Sequence, residues 1–154
     1  MTVSDLQYPV VCFWRHLFRI EKTSETLTTT TKAGIKNRMF DNVLVVGSNG
    51  HAIRVKSARK MHGVGPFRGY NIFLNQRIRV ALEIDGEPFE LTVDEVRKRI
   101  LDSFKQWHGW QTRDDFDDLK ASIENAAPFS TRRKKVGCIK VISLAVKRSD
   151  FITA

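Results

Sequence analysis

Cysteine is nearly missing from this chain: two residues, Cys12 and Cys138, in 154. Two thiols cannot build a disulfide framework, and no C-x-x-C pair points to zinc. Long apolar runs are missing as well, since none approaches the ~18 residues needed to span a bilayer. The opening MTVSDLQYPVV has neither the basic nor the apolar region of a secretory signal. Together these absences point to a cytoplasmic protein without a transmembrane segment. Histidine is scarce too. His16, His51, His62 and His108 are scattered, with no H-x-x-x-H, H-x-E or H-x-T pattern, and a general base needs a positioned partner. No catalytic residue, metal site or cofactor is therefore assigned.

Acidic residues are in deficit. Against 26 Lys and Arg stand 17 Asp and Glu, a formal net charge of +9. The excess is uneven: 13 cations to 8 acids over residues 1–91, 6 to 8 over 92–127, and 7 to 1 over 128–154. An anionic partner is the physical implication of such asymmetry. The length fits one domain, 1–154, with a basic linker and tail from about 129.

What is present reads as α+β. Asn49-Gly50 is a hairpin signal, because a type I′ turn needs positive φ at both central residues. With that turn, Val46 faces Ile53 and Leu44 faces Val55 on an apolar face, while Val45–Arg54 and Val43–Lys56 form a half-polar one. The rival reading of VLVVGSNGHA, a dinucleotide turn, offers only Gly47 at the three glycine positions, the others being Asn49 and Ala52. Asp85-Gly86 predicts a second hairpin, placing Val80 opposite Leu91 and Leu82 opposite Phe89. Thr92 and Glu95 then form a capping box. Val93, Val96, Ile100, Phe104 and Trp107 recur at helical spacing, predicting a helix over about 93–108. Phe116, Leu119, Ile123 and Ala127 predict another over about 113–127. Both helices are expected on one face of an antiparallel sheet. PVVCFWRHLFRI (9–20) reads as a strand, with a helix as its alternative. The Thr-rich stretch after it is an extended edge or a loop, and VGCIKVISLAV (136–146) is a final strand.

Two stretches carry candidate chemistry. RVKSARKMHGVGPFRGY (54–70) holds five Lys or Arg, one His and three glycines. Its G-x-G-x-x-x-G spacing is one residue off the nucleotide motifs, and Pro66 removes a donor that a phosphate cradle would need. As a basic loop on a nucleic-acid backbone, it offers Lys56, Arg59, Lys60 and Arg68, with Tyr70 for stacking. STRRKKVG adds Arg132, Arg133, Lys134 and Lys135, a run that binds phosphates without sequence readout. The bland alternative for both is a solvated connection. The carboxylates of RDDFDDL read as helix N-terminal charges, favoured there by the macrodipole.

The expectation is a small basic binding protein that contacts nucleic acid. The alternative is a protein-interaction module, such as an inhibitor or immunity-type protein, using the acidic helical pair. A small nuclease built on His62 or His51 comes third.

Overall fold

VVCFW and VLVVG are too uniformly apolar for strands with one wet face, and the reason is that both are buried on two sides. In the computed structural model, which describes residues 3–15, 17–65, 76–106 and 116–124, β1 (Val10–Trp14) and β2 (Leu17–Glu21) form a hairpin. After α1 (Ser24–Leu27), β3 (Thr29–Thr31) and α2 (Lys32–Lys36) come the long strands. These are β4 (Val43–Gly47), β5 (His51–Gly63) and β6 (Arg77–Glu90), followed by α3 (Val93–Gln106) and α4 (Phe116–Glu124). The strand order is β2-β1-β4-β5-β6-β3, with every pairing antiparallel. The sheet curls into a half-barrel with the helices packed against it. The expected α+β class holds.

Two apolar clusters share the central strands. On one face, Val11, Phe13, Leu44, Val46 and Ala52 pack against Val96, Ile100 and Phe104 of α3 and Ile123 of α4. On the other, Val10, Cys12, Val43, Val45, Ile53, Val55 and Val80 meet Leu6, Leu27 and Phe40. Burial on both faces explains the near-continuous Val content, which alternation alone would not. The Thr-rich stretch supplies part of the second cluster through Leu27. Thr23 caps α1 by accepting from Thr26 N–H, and Thr31 caps α2 by accepting from Gly34 N–H. Between the two helices lies the edge strand β3, one of the stretch's two expected forms. Residues 9–20 form strand, as expected, but fold back on themselves at Arg15.

The first hairpin is one residue out of the expected register. Val46 pairs with Ala52, Val45 with Ile53, Leu44 with Arg54 and Val43 with Val55. The loop has three residues: Gly50 N–H donates to Gly47 O at 2.9 Å, and Gly50 alone takes positive φ, 87°. Asn49 instead uses its side chain, accepting from His51 N–H at 3.2 Å. That satisfies the turn without the left-handed Asn that a type I′ loop requires, and a one-residue shift exchanges the faces.

The second hairpin does not form. β6 runs unbroken through Asp85-Gly86, and Gly86 (φ 72°) sits in a ladder irregularity. There Ala52 pairs with Phe89 and Arg54 with Asp85, so four steps on β6 oppose two on β5. The 13-residue β5 offers β6 a partner along its length, so no reversal is needed and the extra residues become a bulge. The expected C-terminal strand, Trp107 and the outer ends of both expected helices lie outside the described residues.

The capping box is present. Thr92 N–H donates to Glu95 Oε2 at 2.7 Å, and Glu95 N–H to Thr92 Oγ1 at 3.3 Å. At the other end of the stripe, Phe104 meets Phe18 and Phe116 edge-on, at centroid distances of 5.7 and 5.6 Å.

Three outcomes follow for stability. Gly50→Val is expected to destabilise by about 1–3 kcal/mol in denaturant titration, since a β-branched residue resists positive φ. Phe104→Ala is expected to cost about 3–5 kcal/mol, leaving a cavity between sheet and helices. Hydrogen bonds from Thr92 backbone and hydroxyl hold the Glu95 carboxyl below its ordinary 4.5. Its support for α3 is therefore full above the unfolded value and fades as pH falls through the lowered one. By NMR titration, Thr92→Ala should return the midpoint towards 4.5.

Candidate functional site

Most of RVKSARKMHG is strand, not loop. The ladder carries β5 out to Gly63, and Lys56, Arg59 and Lys60 are exposed along it. β4 pairs with β5 only as far as Val55, so these cations lie beyond the doubly covered part of the sheet. They do not share one face. Arg59 pairs with Ala81 and Lys60 with Val80, so the two point to opposite sides, and Lys56 lies in the irregularity between Val55 and Ser57. Arg68, Tyr70, Arg132, Arg133, Lys134 and Lys135 lie outside the described residues.

Arginines that sequence reasoning passed over do converge. Arg15, Arg38, Arg54 and Arg99 line one polar cleft of about 530 Å³, together with Phe13, Trp14, Asp41, Asn42 and Leu44. They arrive from four places: the β1–β2 turn, the connection after α2, the first third of β5 and the exposed side of α3. The Arg15 guanidinium lies 5.2 Å from the Trp14 ring centroid. Arg38 Nε is 3.9 Å from Asp41 Oδ2, a loose and exposed pair. Asp85 is the ladder neighbour of Arg54, and Arg99 acts on Glu95 of its own helix. Among the described residues, no carboxylate lies within ion-pair distance of Arg15, Arg54 or Arg99.

The backbone at this cleft is unusual. Among the described residues, the non-glycine positions with positive φ are Arg15 (53°), Arg38 (52°) and Asn42 (57°), and all three line it. Arg38 follows the C-cap Asn37 of α2. Its N–H donates to Ile35 O at 3.0 Å, and Met39 N–H to Gly34 O at 3.0 Å. This is a Schellman motif whose left-handed position normally belongs to glycine. A long branched cation there carries a penalty of roughly 1–2 kcal/mol. No sequence pattern marks it, because the four positions are far apart and the left-handed conformations replace the glycines that would have signalled turns.

Other groups offer less chemistry. An apolar cavity of about 190 Å³ opens beside the second cluster, bordered by Cys12, Trp14, Leu17, Arg19, Leu27 and Phe40 among others. Arg19 is engaged by Glu21, Nε to Oε1 at 2.9 Å. Burial pushes the Cys12 thiol up to about 12, with Glu21 adding to the rise and Arg19 opposing it. His51 Nδ1 is 3.5 Å from Glu90 Oε1 on the exposed sheet end, and neither His51 nor His62 lines the arginine cleft. Among the described residues, no three His, Cys, Asp or Glu side chains come together as a metal site, and no helix is long and apolar enough to cross a membrane.

Set against known proteins, the chain matches no family model, and neither a curated protein nor a solved structure gives a significant match. The physical chemistry of the cleft carries the functional argument by itself.

The Cys12 environment has a direct check. In a Cys138→Ser background, Cys12 should resist alkylation at neutral pH in the folded protein and react on unfolding, as mass spectrometry would read.

Proposed function

We propose that this chain is a small basic protein that binds nucleic acid through phosphate contacts. The observation that carries the reading is the convergence of Arg15, Arg38, Arg54 and Arg99 on one cleft where, among the described residues, Asp41 is the one lining carboxylate. Like charges brought together in excess of their counter-ions repel one another. An arrangement of this kind is favourable when an anion completes it. Guanidinium suits phosphate because its planar fork donates two parallel hydrogen bonds.

The sequence adds direction to this. Arg54 belongs both to the cleft and to β5, where Lys56, Arg59 and Lys60 continue the positive charge. In this reading β5 tracks a phosphate backbone, and the contacts position a strand without reading its bases. Arg68, Tyr70 and the cations at 132–135 belong to the same proposal, as further phosphate and stacking contacts along the bound strand.

The test is fluorescence anisotropy with labelled DNA and RNA oligonucleotides across a salt series. Neutralising Arg54 and Lys56 together should weaken binding about equally for unrelated sequences. It should also flatten the slope of log K against log salt by roughly 0.7–0.9 per lost contact. A chain with no salt-sensitive affinity for either polymer would end this reading.

A further inference from the structure

We propose that the arginine cleft is an end-binding site, taking the terminal phosphate monoester of a nucleic-acid strand. The inference deepens the phosphate-contact reading and rests on it. Three features separate an end from the middle of a strand.

Charge is the first. An internal phosphodiester carries one negative charge, whereas a phosphate monoester carries about −1.5 to −2 near neutral pH and presents three acceptor oxygens. Four guanidiniums against one lining carboxylate suit the second better than the first.

Shape is the next. The cleft is concave and about 530 Å³, within the range of about 300–1,000 Å³ that encloses a small molecule. A space of that size has room for one nucleotide at the end of a chain. Trp14, which also lines it, carries the Arg15 guanidinium over its ring, 5.2 Å from the centroid, and so helps to position that cation.

Backbone conformation is the third. Arg15 and Arg38 occupy left-handed positions that glycine would fill without strain. Keeping arginine there sacrifices stability, and such sites cluster where a ligand is held. The sacrifice also makes the test clean. Arg38→Gly and Arg15→Gly relieve the backbone while removing the charge, so lost binding cannot be put down to lost folding.

The experiment compares oligonucleotides of one sequence bearing a 5′-phosphate, a 3′-phosphate or hydroxyls at both ends, with inorganic phosphate as competitor. One of the two phosphorylated forms should bind roughly tenfold or more tightly than the hydroxyl form. Arg38→Gly should erase that preference while the melting temperature stays level or rises. Arg99→Gln, on another element, should erase it too, and Arg59→Gln should weaken all three oligonucleotides alike and leave the preference intact.

Equal affinity for all three oligonucleotides overturns the end-binding proposal and leaves phosphate contact standing. No salt-sensitive affinity for any of them overturns both. Binding of inorganic phosphate with no preference among the oligonucleotides overturns it as well, since the cleft would then be a site for a free anion.

Discussion

The rest of this structure depends on the burial of β1 and β4 between two apolar layers. Val10, Val11, Val45 and Val46 are each 0% exposed, and alternate members of each pair face opposite clusters. Neither layer is large alone. On one side two helices press on the sheet; on the other lie residues from the N-terminal turn, α1 and the α2–β4 connection. Because the same strands serve both, loss of packing on either side loosens the other, and cooperative unfolding follows from sharing rather than from size.

The cleft opens beside the helix-bearing face: Phe13 and Leu44 belong to the cluster under α3, and Arg99 comes from that helix. Ladder irregularities between β5 and β6 increase local twist and bend the strands. The β1–β2 turn, the α2–β4 connection, β5 and α3 each place an arginine around one concavity. In this fold the arginines are brought together by the scaffold's main-chain path, since they share neither a strand nor a helix.

Local signals in the sequence read through to the structure, and long-range ones did not. Thr92 and Glu95 announced α3 because a capping box is completed within four residues. Val96, Ile100 and Phe104 announced its buried face because the helical period is local too. The Asn49-Gly50 pair marked the right turn and the wrong loop, since a side-chain hydrogen bond to His51 N–H competed with the left-handed Asn. Asp85-Gly86 looked equally turn-like, but β5 was long enough to keep β6 paired and continuous through a bulge, and tertiary pairing overrode the local preference. Lys56, Arg59 and Lys60 were recognisable as cations and not as strand residues on opposite faces. The cleft itself left no trace, because its members stand at positions 15, 38, 54 and 99 and meet only through the topology. Conformation hid it further: Arg15 and Arg38 sit where a reader looks for glycine.

A cleft in which four guanidiniums outnumber the described carboxylate lining it ties the stability of this protein to its solvent as well as to its chain. Any anion that prefers the folded arrangement shifts the folding equilibrium by mass action, in proportion to the logarithm of its concentration. Under the proposed phosphate contacts, two preparations of identical sequence, one in a phosphate buffer and one in an amine buffer, would be thermodynamically different samples. The buffer anion would then be an additional component of the native state.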